Sequence, residues 1–86
     1  MSIVECRLSI ELFGVLTRLV GAGSVTVRLR AGATVADALS ELAAAYPATG
    51  AALAQCACAV GDSIVPRTRS LAGGDRLALL PPVSGG

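Results

Sequence analysis

Apolar residues along this chain keep two different periods, and only one segment keeps the helical one. Val35, Ala38, Leu39, Leu42 and Tyr46 recur at the spacing of one helix face, with Asp37, Ser40 and Glu41 on the other side. Thr34 followed three residues later by Asp37 is the layout of an N-cap with an acid in the first turn, and Pro47 closes the segment. On either side the period is that of strands. Val4, Cys6, Leu8, Ile10 and Leu12 share one phase of Ile3–Phe13, while Glu5, Arg7, Ser9 and Glu11 occupy the other. Val25, Val27 and Leu29 then alternate with Thr26, Arg28 and Arg30. The glycines of Val20-Gly21-Ala22-Gly23-Ser24 supply the reversal that makes a hairpin of the two strands.

Beyond the helix, Ala48 to Gln55 is alanine-rich enough for a further helical turn, and Gly50 argues against a long helix. Cys56–Val60 is a short apolar strand, Gly61-Asp62-Ser63 a turn, and Ile64-Val65 a short return strand ended by Pro66. Gly73-Gly74-Asp75 turns the chain into a last strand, Arg76–Leu80. That order places the last strand most easily beside the first, as a parallel pair in a mixed sheet crossed by one main helix, a small α+β domain.

The last strand is apolar on both faces: Leu77 and Leu79 lie on one, Ala78 and Leu80 on the other. One face can bury against the helix, which leaves the other as a surface for a partner. Phe13 falls in the polar phase of the first strand, an exposed anchor rather than a core residue. Pro81 and Pro82 have no N–H to give a ladder, so sheet pairing ends there. Residues 1–81 are therefore expected to form the domain and 82–86 a flexible, extended tail. Ser84-Gly85-Gly86 carries almost no side-chain bulk and suits a narrow site.

Composition narrows the function classes. At 86 residues the chain is one domain, burying roughly 60–65% of its unfolded surface. It is 53% apolar yet has only Phe13 and Tyr46 as aromatics, so the core must be aliphatic and the apolar excess implies a partner. No run approaches the roughly 18 apolar residues of a membrane span, and no signal-peptide layout is present, which suggests a cytoplasmic protein. Seven arginines, no lysine and six acids leave a net charge of +1 without the basic stripe that nucleic acid requires. Three cysteines without an export signal suggest reduced thiols. Cys56 and Cys58 share a strand face, but no histidine and no fourth sulfur are available to complete a metal site. Without histidine there is no Ser-His or Cys-His pair, and Gly21-Ala22-Gly23 lacks the rest of a phosphate-binding loop. Asp62, Asp75 and Glu41 are most simply turn, strand-entry and solvated helix residues. No bound cofactor is expected.

At an average glycine usage of about 7%, a terminal Gly-Gly arises by chance in roughly one chain in 200, so the dipeptide alone is a weak signal. The longer ending is specific. Gly74-Asp75-Arg76-Leu77-Ala78-Leu79-Leu80-Pro81-Pro82-Val83-Ser84-Gly85-Gly86 resembles the C-terminus of the MoaD-type sulfur carriers, the small subunits of molybdopterin synthase within the ubiquitin-like MoaD/ThiS family. The resemblance covers roughly residues 10–86. It includes Leu12-Phe13, Gly32-Ala33-Thr34-Val35-Ala36-Asp37-Ala38-Leu39 and Leu71-Ala72-Gly73-Gly74-Asp75. After the first strand the family often has Phe-Ala-x-x-Arg-acid, whereas here Phe13-Gly14-Val15-Leu16 is followed by Thr17-Arg18. Val60-Gly61-Asp62-Ser63 likewise replaces a common Val-Asn-Gly-acid turn.

The resemblance implies a β-grasp fold and a carrier that is no enzyme on its own. Its reactive atom would sit on the Gly86 carboxylate, adenylated by an ATP-dependent, E1-like activating enzyme of the MoeB type and then converted to a thiocarboxylate. Phe13, Leu80, Pro81, Pro82, Val83, Ser84 and Gly85 would contact partners. The large synthase subunit, of the MoaE type, would receive the tail in a heterotetramer, where the sulfur passes to cyclic pyranopterin monophosphate. A thiamine-pathway sulfur carrier and a ubiquitin-like protein modifier share this fold and ending. The Pro-Pro-Val-Ser approach favours the molybdopterin branch.

Overall fold

The computed structural model describes residues 5–72 and 74–81, with side-chain environments from residue 7. The chain forms strand β1 (Glu5–Leu12), helix α1 (Val15–Val20), strand β2 (Ser24–Arg30) and helix α2 (Val35–Ala45). A single 3-10 turn (Pro47–Thr49) leads into helix α3 (Gly50–Gln55), followed by β3 (Ala57–Val60), β4 (Ser63–Val65) and β5 (Arg76–Leu80).

The strands make one mixed sheet in the order β2-β1-β5-β3-β4. The central pair, β1 and β5, is parallel, with Ile10 opposite Leu77 and Leu12 opposite Leu79, while the other neighbours are antiparallel. A first and a last strand joined side by side, with one main helix across them, make the expected β-grasp. The alternation in β1 is realised: Leu8, Ile10 and Leu12 are buried and Ser9 and Glu11 are half-buried. They join Leu77 and Leu79 of β5, Leu29 of β2, Leu16 of α1, Leu53 of α3 and the Val35, Ala38, Leu39 and Leu42 face of α2 in one core. Among the described residues no helix is long and apolar enough to cross a membrane.

α2 begins as its sequence requires. The Thr34 hydroxyl accepts from the Asp37 N–H at 3.3 Å, and the Asp37 carboxylate accepts from the Thr34 N–H at 2.9 Å, a reciprocal capping box. The N–H groups of Val35 and Ala36 donate to the carbonyls of Arg69 and Arg67, each at 2.9 Å. Every N–H of the first turn thus has a partner inside the protein, because Ala38 donates to the Thr34 carbonyl at 3.1 Å. The helix ends where Pro47 forces its predecessor out of helical geometry, with Tyr46 at φ −132°, ψ 79°.

Two features differ from the sequence reading. The connection between β1 and β2 is a hairpin interrupted by α1, a six-residue helix that shows no clear period because it buries only Leu16. It is held by backbone instead: Gly21, at φ 86°, donates its N–H to the Thr17 carbonyl at 2.8 Å, which is a left-handed C-cap. The Ala48–Gln55 stretch is more helical than Gly50 suggested, since that glycine takes right-handed helical angles and opens α3.

Candidate functional site

The open face of the sheet, opposite α2, is assembled by strand register. Directly opposed residues share a face, so Ile64, Ala59, Ala78 and Glu11 form one row across β4, β3, β5 and β1. The next row joins Ala57 to Leu80. Phe13 follows at the end of β1, beyond the Leu12 and Leu79 pair. Small side chains in the middle leave a shallow apolar surface, bordered by Ile64 at 67% exposure and Phe13 at 43%. Leu80 and Pro81 are half-buried at its rim, and Val15 and Leu19 of α1 are exposed nearby in sequence to Phe13.

Register therefore brings Phe13 and Leu80, two of the expected partner contacts, to one end of this face. Pro81 lies against Gly14: a Cβ built on Gly14 would stand 2.8 Å from the Pro81 Cγ. Gly14 has φ 61°, ψ −133°. Pro82, Val83, Ser84, Gly85 and Gly86, the remaining expected contacts and the reactive terminus, lie outside the described residues.

The rest of the molecule offers little chemistry of its own. Cys56 and Cys58 are buried free thiols, and Cys56 donates its S–H to the Leu53 carbonyl at 3.3 Å. Burial, and then the neighbouring Cys56, pushes the Cys58 thiol above the ordinary range, against an opposing pull from Arg67. A protonated, enclosed thiol is a poor nucleophile. The Arg67 guanidinium is engaged with the chain end of α3, donating to the carbonyls of Leu53 at 2.8 Å and Cys56 at 2.9 Å. Among the described residues no group of three or more His, Cys, Asp or Glu is placed to hold a metal ion, and no buried side-chain nitrogen or oxygen lacks a partner. A concavity of about 750 Å³ lies beside β2 and α2, lined by Arg28, Arg30, Asp37 and Glu41 among others. The first-turn N–H groups of α2 are occupied, so this groove has no helix terminus to offer an anion.

The likeness to other proteins runs through the tail. Residues 10–86, from the middle of β1 to the last glycine, match the ThiS family. The chain belongs to the ThiS family. The molybdopterin synthase sulfur carrier subunit of Chlamydomonas reinhardtii is 35% identical over 68 residues, covering 77% of this chain and 82% of that one. The small archaeal modifier protein 1 of H. volcanii superposes with a TM-score of 0.85 at 29% identity, covering 91% of this chain and 99% of that one. A ThiS-like fold is also present in the complex of subunits 1 and 2 of molybdopterin-converting factor from Helicobacter pylori. That structure matches with a TM-score of 0.58 at 25% identity, over 93% of this chain and 99% of the matched one. The family match begins at Ile10, within β1.

Proposed function

We propose that this ThiS-family chain is the sulfur carrier of a molybdopterin synthase, its reactive group the Gly86 carboxylate. The observation that carries this reading is the family match through the Pro-Pro-Val-Ser-Gly-Gly ending, together with the sulfur carrier subunit 35% identical to it. The absence of histidine and the burial of Cys56 and Cys58 agree with a protein whose chemistry lies at its terminus.

A carboxylate is a poor electrophile. ATP in an activating partner converts it to an acyl-adenylate with release of pyrophosphate, and a sulfur donor then displaces AMP to leave the thiocarboxylate. That group is a soft nucleophile, ionised at neutral pH, and it delivers sulfur to cyclic pyranopterin monophosphate in the large subunit. Two carriers and two large subunits make the working heterotetramer. The apolar face bearing Phe13, Ala57, Ala78 and Leu80 docks on that subunit, and the five residues from Pro82 span about 16 Å when extended, enough to enter an active site. The carrier needs no catalytic side chain because the partner orients and protonates the reactants.

The test incubates the full chain with its activating enzyme, ATP and a sulfur donor and reads intact mass. Wild type should gain the oxygen-to-sulfur increment, and a chain lacking Gly86 should not; full conversion of the truncated chain overturns the reading. A second reading, attachment of Gly86 to lysines of other proteins, is favoured by the fold likeness to the small archaeal modifier. Gly86-to-lysine isopeptides recovered from the native cell, in place of a thiocarboxylate, would decide for it. This chain has no lysine, so such a modifier could not build lysine-linked chains of itself.

A further inference from the structure

We propose that the outer edge of β2 receives an extended segment of a partner protein as a further strand, one in which acidic residues alternate with apolar ones. β2 and β4 are the two edges of the sheet. β4 has three residues and runs straight into Pro66, which makes it a short and blunted edge. β2 has seven. Its unused backbone groups follow from one bond. The Leu12 N–H donates to the Gly23 carbonyl at 2.9 Å, and from that pair the bonds of an antiparallel ladder fall at every second position. Val25, Val27 and Leu29 thus bond to β1, and Ser24, Thr26, Arg28 and Arg30 turn their N–H and carbonyl groups outward. Among the described residues, the one hydrogen bond reaching β2 from outside the ladder runs from the Ala33 N–H to the Arg30 carbonyl, at 3.0 Å. A long edge with outward amides is a template for another strand.

The side chains set what that strand must carry. Arg28 stands directly opposite Arg7, and both are exposed on the open face of the sheet. Theirs is a pair without backbone hydrogen bonds between the two residues, the kind in which side chains lie closest, so the two guanidinium groups repel. Arg30 is the next residue of β2 on that face, with Glu5 opposite it in register. A carboxylate set beside Arg28 relieves the repulsion, whereas a second copy of β2 would bring arginines of its own. On the other face the demand is reversed. The concavity of about 750 Å³ follows residues 28–33 and is walled by Asp37, Ser40 and Glu41 of α2, which disfavour an acid there. Val25 and Val27, half-buried on this side, offer apolar surface instead. Successive residues of a strand point to opposite faces, so alternation of acidic and apolar residues meets both demands. The site stands apart from the sulfur-carrier reading: Arg7 lies five residues, about 17 Å, back along β1 from Leu12, which is level with Leu79 near the end of β5.

The test uses the full chain, with no activating enzyme, and three blocked seven-residue peptides: valine alternating with aspartate, valine with lysine, and serine with aspartate. The valine–aspartate peptide should bind at low salt with a Kd below about 1 mM, at least tenfold tighter than either control. At saturation it should slow hydrogen exchange of the Thr26 and Arg28 amides at least tenfold, and of the Val25 and Val27 amides, already in the ladder, far less. Arg28→Glu should weaken that peptide at least tenfold, turn the preference toward lysine, and raise the melting temperature by ending the repulsion from Arg7. Thr26→Pro removes an N–H that no ladder bond uses, a change an edge strand tolerates, and should also weaken the peptide at least tenfold. If that variant does not fold, Arg28→Glu and the exchange rates decide. No binding at about 1 mM overturns the proposal. So does equal binding of both aspartate peptides with no slowing of exchange, which would leave a surface that attracts anions without adding a strand. Tighter binding of a single-stranded oligothymidylate at the same residues overturns it in favour of nucleic acid. A dimer by sedimentation, with the Thr26 and Arg28 amides protected before any peptide is added, would give the edge to a second copy and overturn it as well.

Discussion

The two faces of β5 are built from the same kind of residue and live in different surroundings. Leu77 and Leu79 are at 0% exposure, enclosed by α2 and the inner face of β1, while Ala78 and Leu80, one position along, are half-buried on the open side. On the closed side the first turn of α2 has every N–H satisfied from within the protein. On the open side Ile64 and Phe13 are exposed. The inner leucines belong to the core, and the outer residues are those that the proposed docking on a large subunit would use. Under that proposal a strand apolar on both faces would meet two demands through its two-residue period.

The comparison breaks first if an inner leucine proves dispensable. Leu79→Ala should destabilise the chain by about 2–5 kcal/mol, because the site lies at the centre of the sheet and cannot easily collapse. For a domain of this length that is a large fraction of total stability, which runs about 0.05–0.15 kcal/mol per residue. Urea unfolding followed by circular dichroism measures it. A loss below about 1 kcal/mol would mean that the core repacks and that the two faces differ less than their exposure indicates.

The outer face is sharpened by the opposite result. Leu80→Asp and Phe13→Ala should each leave the melting curve less affected than Leu79→Ala does, and should each weaken association with a large synthase subunit at least tenfold, about 1.4 kcal/mol. Calorimetric titration of each variant checks this. Two variants that fold normally and bind as wild type does would move the docking surface elsewhere, with the α1 residues Val15 and Leu19 next in line.

Much of this architecture was legible in sequence because it rests on side-chain periodicity. The phase of Leu8, Ile10 and Leu12, the capping pair Thr34 and Asp37, and the break at Pro47 each announce local geometry. Element order made the parallel pairing of β5 with β1 the simplest arrangement, and the resemblance carried the specific topology. What stayed hidden rests on backbone. α1 carries one buried side chain and is closed by the N–H of Gly21, and the carbonyls of Arg67 and Arg69 complete α2 from a segment with no period at all. Pro81 approaches Gly14 from far away in sequence, leaving no room for a Cβ at the backbone angles this glycine takes. The reading of Gly86 rests on the resemblance alone, since a terminal carboxylate has no spacing pattern to read.

The smallest expected effect tests whether the closed side is as independent of docking as its position implies. Thr34→Ala removes the hydroxyl that accepts from the Asp37 N–H and that donates to the Asp37 carboxylate at 3.2 Å. The bond from the Thr34 N–H to that carboxylate remains, as do the bonds from Val35 and Ala36 to Arg69 and Arg67. The loss should therefore be near the usual cost of an N-cap, about 1 kcal/mol, which for a domain of this size lowers the melting temperature by about 4–8 °C. Thr34→Ser keeps the hydroxyl and should recover most of it. Because α2 packs on the face of the sheet opposite Leu80 and Phe13, neither variant should change affinity for the large subunit by more than twofold. A tenfold loss of affinity in Thr34→Ala, restored in Thr34→Ser, would couple the helix cap to the docking face through the sheet and end the division of labour between the two sides of β5.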